Sequence, residues 1–389
     1  MAVFADAGHK SKSSLRHLGV LWFALLLITT LPALANTPLT QTQISEIERL
    51  IEKTLHPKDA RDYAAPAVSI SVGKNGTLAF AAGYGEARSG VPATKDTVYR
   101  IGSITKQFTA AAVLSLIERG ATVGPGGPNL SLDLPLAETF RASDSWNASD
   151  RPPITVKSLL AMTSNLPNFT RRPPHTLDPW GAVASDNLLG ALTRLRRIGE
   201  PGSFEYSNTS YFLLAELIDD LYVEGQSATY HNQLRDVIFT RAELSDTGFS
   251  SDEKFKSTIA HPTYRRRPAF TQPDWLKGSG DMASTVVDLF KWNDALMSDR
   301  VLTSRTREDM FADNARVDVW NYYGMGWFIT HRDNLELYRH SGTVPGYTSF
   351  NAIARRGEGP WVSVSILTNS DGIESLDDLA QQVVDIALQ

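Results

Sequence analysis

Arg100-Ile101-Gly102-Ser103-Ile104-Thr105-Lys106-Gln107-Phe108 places a hydroxyl and an amine three residues apart at the entrance to a helix. From Thr105 to Glu118 the residues are strong helix formers. Phe108, Ala111, Ala112, Leu114 and Leu116 give a broad apolar face, and Gly120 supplies a stop. Residues at i and i+3 sit on neighbouring turns of one face, so the Lys106 amine reaches the Ser103 hydroxyl. Burial under apolar neighbours disfavours the ammonium form and turns this lysine into a base. A nucleophile at a helix start also stands among unpaired backbone amides, which favour the oxyanion of an acyl transfer. Ser103 therefore reads as the nucleophile and Lys106 as its activating partner. The same spacing recurs at Ser71 with Lys74 and at Ser251 with Lys254. The first of these spans the end of a strand-like run and a turn, and the second lies in a polar stretch without helical periodicity.

Working outward, the chain divides into strand-rich ends and a helix-rich middle. Ile44, Ile47, Leu50, Ile51 and Leu55 recur at helical spacing between Thr40 and Leu55. Ala67 to Val72 and Thr77 to Gly83, separated by Gly73-Lys74-Asn75-Gly76, read as a hairpin. Pro and Gly clusters then separate short helices at Thr155 to Met162, Leu188 to Ile198 and Asn208 to Leu221. Strands return at Tyr323 to Thr330, Glu336 to His340, Tyr347 to Ala354 and Trp361 to Thr368, before a closing helix from Ser375 to Leu388. The pattern predicts an α+β fold, an antiparallel sheet flanked by helices and built from both ends of the chain, with an inserted all-helical domain. Its expected bounds are about 36–119 and 276–389 for the sheet part and about 120–275 for the helical part. The basic clusters Arg171 with Arg172, Arg194 with Arg196 and Arg197, and Arg265 to Arg267 read as solvated faces.

Composition narrows the function. The 389 residues contain no cysteine, which excludes disulfides, thiol catalysis and cysteine-ligated metals. Lys10, Lys12 and Arg16 precede an apolar run from Leu18 to Leu31 and the small-residue site Ala33-Leu34-Ala35, the pattern of an export signal cleaved after Ala35. A retained membrane anchor is the weaker alternative, because that run is shorter than the roughly 20 residues that span a bilayer; no stable membrane span is expected after cleavage. Residues 36–389 carry 35 basic and 42 acidic side chains, a balance against a general nucleic-acid binder. A periplasmic or secreted protein is expected.

Three further segments carry candidate chemistry. In Phe204-Glu205-Tyr206-Ser207-Asn208 a phenol can exchange protons with a leaving group, and an amide can bind substrate while fixing the lysine. The alternative is a core aromatic and a helix cap, and Tyr230 to Asn232 repeats the spacing without any helix-entry context. At the end of a strand, His340-Ser341-Gly342-Thr343 offers a histidine hydrogen bond or proton. Its glycine would let a substrate backbone approach, and the Thr343 amide would join that of Ser103 in an oxyanion hole. Gly278-Ser279-Gly280-Asp281 leads into a helix and reads as close packing beneath the site rather than a phosphate cradle.

Ser103-x-x-Lys106, Tyr206-x-Asn208 and His340-x-Gly342, in this order, resemble the penicillin-recognising serine hydrolases: class C beta-lactamases, D-alanyl-D-alanine carboxypeptidases, D-aminopeptidases and related esterases. The resemblance implies a cleft between a sheet domain and a helical one, with an acyl-enzyme made on Ser103. Lys106 and Tyr206 would move protons. Asn208, His340, Gly342 and Thr343 would bind the substrate, a small peptide, ester or beta-lactam. It implies no metal or cofactor, and a monomer is expected. Where class C beta-lactamases usually carry Lys-Thr-Gly, this chain has His340-Ser341-Gly342, which looks more like the peptidase and esterase branches. A histidine is charged only part of the time near neutral pH, so it is a weaker carboxylate partner. Thr163 and Asn165 stand where relatives often have His and Gly. The expected activity is hydrolysis of D-alanyl-D-alanine-type peptides; the alternatives are an esterase, a beta-lactamase, or a non-catalytic binder of cell-wall peptide.

Overall fold

Along Val68-Ser69-Ile70-Ser71-Val72 aliphatic and hydroxyl side chains alternate, and a period of two sends them to opposite faces of a sheet. The computed structural model describes residues 38–55, 66–140, 146, 151–171, 185–263, 273–371, 373 and 376–389. The export signal read over residues 1–35 lies outside the described residues, as do Arg172, Arg265, Arg266 and Arg267. The main sheet has eight antiparallel strands: β1 (Val68–Lys74), β2 (Thr77–Tyr84), β3 (Ala315–Arg316), β4 (Asn321–Tyr323), β5 (Phe328–Arg332), β6 (Leu335–Val344), β7 (Tyr347–Arg356) and β8 (Val362–Thr368). Their spatial order is β3-β4-β5-β6-β7-β8-β1-β2. The two ends of the chain meet where β8 pairs with β1, Ile366 opposite Ile70.

The helices that cover the sheet or carry site residues are α1 (Gln41–Leu55), α2 (Thr105–Glu118), α3 (Asn208–Asp219), α4 (Val286–Met297) and α5 (Leu376–Ala387). One face of the sheet is aliphatic. Val68, Ile70, Val72, Phe350, Ala352, Val364 and Ile366 pack there with Ile47, Leu50 and Ile51 of α1 and with Leu379, Val383 and Val384 of α5. The opposite face receives α2 and α4 on small polar side chains. Ser71 donates to the Val286 carbonyl at 2.8 Å, and Ser349 donates to the Ile101 carbonyl at 2.8 Å. Asn351 sits at the centre of a buried network: its amide donates to Gln107 and Asn293, both at 2.9 Å, and accepts from Asn293 and Ser365, both at 2.8 Å. Phe108 of α2 stacks on Trp292 of α4, ring centroids 4.2 Å apart. Every residue of α2 from Thr105 to Leu116 is buried, so its apolar residues run all round it rather than along one stripe.

Two expectations are refined here. The single strand read from Tyr323 to Thr330 is two strands, because Gly326 turns at φ +83° and presses on α2; a Cβ there would stand 2.8 Å from the Lys106 carbonyl oxygen. The insert expected to be all helical also holds a small sheet of Thr122–Val123, Leu221–Val223 and Gln226–Ser227, and its strand Gly248–Phe249 pairs with Met282–Ser284. Among the described residues, no helix is long and apolar enough to cross a membrane.

The network around Asn351 yields a test. Asn351→Ala leaves Gln107, Asn293 and Ser365 without their shared partner in a dry interface, at an expected cost of about 3 kcal/mol in a denaturant titration. An unchanged midpoint would show that the helix–sheet interface does not depend on this network.

Candidate active site

Lys106 is fully buried in the first turn of α2, and its Nζ has three hydrogen-bonding neighbours. They are Ser103 Oγ at 3.0 Å, Asn208 Oδ1 at 2.7 Å and the Ser279 carbonyl oxygen at 2.7 Å. Burial pushes the lysine pKa well below its ordinary value, with the Asp281 charge pulling the other way. Protonated, the lysine donates to all three. Neutral, it has two N–H bonds and one lone pair, and two of its neighbours can only accept. Giving the hydrogens to Asn208 and Ser279 leaves the lone pair facing the Ser103 hydroxyl, which then donates to the amine. That is the arrangement of a base beside its nucleophile.

The direction of the Asn208 amide follows from a relay. Asn168 Oδ1 accepts from the backbone amides of Thr170 at 3.2 Å and Asn208 at 3.3 Å. The Thr170 hydroxyl donates to the same oxygen at 2.9 Å, and in turn accepts from Asn208 Nδ2 at 2.8 Å. The Asn208 oxygen is left for Lys106. Ser207 takes the cap position of α3 and Asn208 follows as its first residue, so the helix-cap reading of Asn208 does not describe its use here. The Lys106 Nζ lies 5.0 Å from the centre of the Tyr206 ring. Burial raises the Tyr206 pKa above the ordinary tyrosine value, partly offset by hydrogen bonding with Ser103 and by the Arg171 charge. The phenol is therefore neutral, a proton donor.

β6 brings its segment to the same place and corrects two expectations. Gly342 is not an opening for a substrate backbone. A Cβ there would stand 2.1 Å from the Ile101 carbonyl oxygen and 3.0 Å from the Ser103 amide nitrogen, so the turn carrying Ser103 fills that space. Gly102 answers it from the other side, at φ +49°, where a side chain would meet the Thr343 amide nitrogen at 3.0 Å. The backbone segments bearing the Ser103 and Thr343 amides thus lie against each other, as a two-amide oxyanion site needs. Thr343 is exposed, on the strand face opposite His340 and Gly342, and offers the site its main chain.

His340 is the second correction. It is buried, and its Nδ1 lies 2.7 Å from the Ser341 carbonyl oxygen, which can only accept, so Nδ1 carries the proton. Nε2 then accepts from the Tyr323 hydroxyl at 3.3 Å. Burial first, then the Lys106 charge, lowers the imidazole pKa to about 3. The partly charged histidine expected from the sequence is a neutral ring with both nitrogens engaged.

Other readings change in detail. Asn165 adopts φ +58°, the left-handed conformation that glycine favours and asparagine tolerates. Its buried amide accepts from the Gly202 backbone at 3.0 Å and donates to the Ser203 carbonyl at 3.2 Å, so the loop keeps its turn without glycine. Arg197, read as part of a solvated face, is buried. It donates to the carbonyls of Ser164 at 2.9 Å and Pro152 at 2.6 Å, tying down the same loop. The repeat at Tyr230 does open a short helix, Tyr230–Asn232, capped by Thr229, contrary to the sequence reading. Its hydroxyl is buried against Asp281 at 3.2 Å. Lys254 of the third Ser-x-x-Lys copy donates to the Ser245 and Thr247 carbonyls.

The residues that sequence reasoning missed are Asn168, Thr170, the Ser279 carbonyl and Tyr323. Asn168-Phe169-Thr170 carries the signal of an Asx turn; a backbone carbonyl carries no signal at all. Among the described residues, no group of three or more His, Asp and Glu side chains could hold a metal ion.

Comparison with known proteins places the chain in a family. The family model described as Beta-lactamase matches residues 47–388. Flp of Staphylococcus aureus strain COL is 26% identical over 327 residues, covering 80% of this chain and 61% of that protein. The chain thus spans about three fifths of the length of the Flp proteins it matches. The penicillin-binding protein homologue of Pyrococcus abyssi has a similar fold, with TM-score 0.72 and 24% identity, covering 88% of this chain and 77% of that one. That homologue is octameric, and the expectation of a monomer gains no support from it. The D-amino acid amidase of Ochrobactrum anthropi SV3 is 25% identical with TM-score 0.66, covering 86% of this chain and 97% of that one. A match that starts within α1 and ends beyond α5 takes in both parts of the sheet and the helix α2 between them: the chain belongs to the beta-lactamase family.

Proposed function

We propose that this chain is an exported serine hydrolase that forms an acyl-enzyme on Ser103 and acts on D-amino-acid peptides and amides of cell-wall type. The observation that carries the reading is the buried Lys106 amine, whose lone pair is left to Ser103 once Asn208 and Ser279 have taken its hydrogens. Ser103 Oγ attacks the substrate carbonyl while its proton passes to Lys106, and the oxyanion is held by the Ser103 and Thr343 amides. Tyr206, a neutral phenol, gives its proton to the leaving group and recovers one through Lys106. Asn208 orients the acyl side. Water then attacks the ester by the reverse sequence. Export is supported by the signal pattern of residues 1–35.

Within this reading, the neutral His340 supports substrates whose leaving side carries little charge. A free carboxylate would find no cation at this strand position, whereas an amide or ester leaving group needs none. An esterase or beta-lactamase on the same machinery is the second reading; the lack of charge favours the esterase, because a beta-lactam carries a carboxylate of its own. A non-catalytic binder accounts poorly for a lysine desolvated against a serine, which costs several kcal/mol and serves only chemistry.

Two outcomes are expected. Intact-mass spectrometry after mixing with benzylpenicillin should show an adduct in the parent protein and none in Ser103→Ala, whose hydrolysis of any substrate should fall at least ~10⁴-fold with its thermal midpoint kept. Retained turnover in that variant would remove Ser103 from the reaction. In ¹⁵N-detected NMR, the ring assigned through His340→Asn should stay neutral and Nδ1-protonated from pH 5 to pH 8, since its pKa is depressed to about 3. A titration between those limits would restore a charged partner for substrate carboxylates.

A further inference from the structure

We propose that Asp281 is a positioning residue for the Ser103–Lys106 pair, a carboxylate set beneath the lysine whose negative charge governs how readily Lys106 takes up the serine proton. The inference rests on the serine-hydrolase reading above. Asp281 belongs to the turn Gly278-Ser279-Gly280-Asp281, which wraps the first turns of α2. The Ser279 carbonyl accepts from Lys106 at 2.7 Å, the Gly278 carbonyl accepts from the Thr109 hydroxyl at 2.8 Å, and the Met282 amide donates to Thr105 at 3.3 Å. The residues on both sides of Asp281 are therefore bonded to residues 105, 106 and 109.

The carboxyl group is itself buried, which is unusual for an aspartate without a dedicated cation. One oxygen meets the Tyr230 hydroxyl at 3.2 Å, and Tyr230 in turn lies 3.5 Å from the Thr109 hydroxyl. The charged and titratable groups that face Asp281 are Tyr230 from the helix Tyr230–Asn232, Lys106 from α2 and Lys277 from its own turn. Lys277 is already engaged by Glu216 and Asp219. Lys106 is thus the buried cation that Asp281 stabilises when the serine proton arrives. Burial holds the Asp281 pKa up at about 7, and the Asp281 charge raises the pKa of Lys106 against its own burial.

The sign follows. A nearby anion favours ammonium, so removing it makes Lys106 a weaker base that stays deprotonated to lower pH. The test is the pH dependence of Ser103 labelling by a fluorophosphonate, read by intact mass in the parent protein and in Asp281→Asn, which keeps shape and loses charge. The acid limb of labelling should move down by ~0.5 pH unit or more and the plateau rate should fall several-fold. Tyr230→Phe removes the hydroxyl that supports the carboxylate and should move the limb in the same direction, which serves if the asparagine variant does not fold. A purely structural aspartate would slow labelling equally at every pH; an unmoved limb in the variants that fold overturns the inference and leaves the hydrolase reading standing. A parent protein that does not label at Ser103 at any pH overturns both.

Discussion

An amine taken out of water needs a hydrogen-bonding partner for every position around it, and the partners of Lys106 come from three separate segments of the chain. Ser103 lies 3 residues away, Asn208 lies 102 away and the Ser279 carbonyl 173 away. Desolvating a cation costs several kcal/mol, so the lysine resists burial unless all three arrive together. The fold is the means of bringing them. The polar face of the sheet lets α2 sit close, through Asn351 and Ser349, and fixes where Ser103 stands. Gly278, at φ +72° with no room for a side chain against the Tyr211 carbonyl, presses the turn bearing Ser279 onto α3, so two of the three partners are positioned against each other as well as against the lysine.

How much of this is legible in the sequence depends on whether a side chain or a backbone does the work. The alternation in Val68 to Val72 and the helix formers after Ser103 announce their elements because side-chain period is a property of sequence. The motif hydroxyls, amine and amide are visible for the same reason. Ser279 meets Lys106 through its carbonyl and Thr343 meets the turn of Gly102 through its amide, and only their glycine neighbours hint at close backbone approach. The small sheet inside the helix-rich segment is built from strands of two or three residues, too short for a period to register.

The readings of Arg197 as solvated and of His340 as partly charged differ from the structure for a related reason. Both describe the group as it is in water. Arg197 and His340 are buried, and for a buried group the partners decide the state. Two carbonyls keep Arg197 satisfied as a cation, while a carbonyl at Nδ1 and a hydroxyl at Nε2 satisfy His340 as a neutral ring. Neither set of partners is adjacent enough in sequence to be inferred, apart from Ser341, whose carbonyl follows His340 directly.

Neutrality at position 340 bears on the lysine as well as on the substrate. The Lys106 charge helps to depress the His340 pKa, and the interaction is mutual: a cation at 340 would depress Lys106 in turn. A neutral imidazole removes that repulsion, and a buried carboxylate at Asp281 adds attraction from beneath. Both act in one direction, toward a lysine that holds a proton more readily despite burial. A relative with a cation in place of His340 faces the opposite balance: its strand gains hold on a substrate carboxylate, and its buried lysine gives up affinity for the proton unless another anion compensates. Under the proposed function, substrate charge preference and base strength would both be set by the same few ångströms of strand β6.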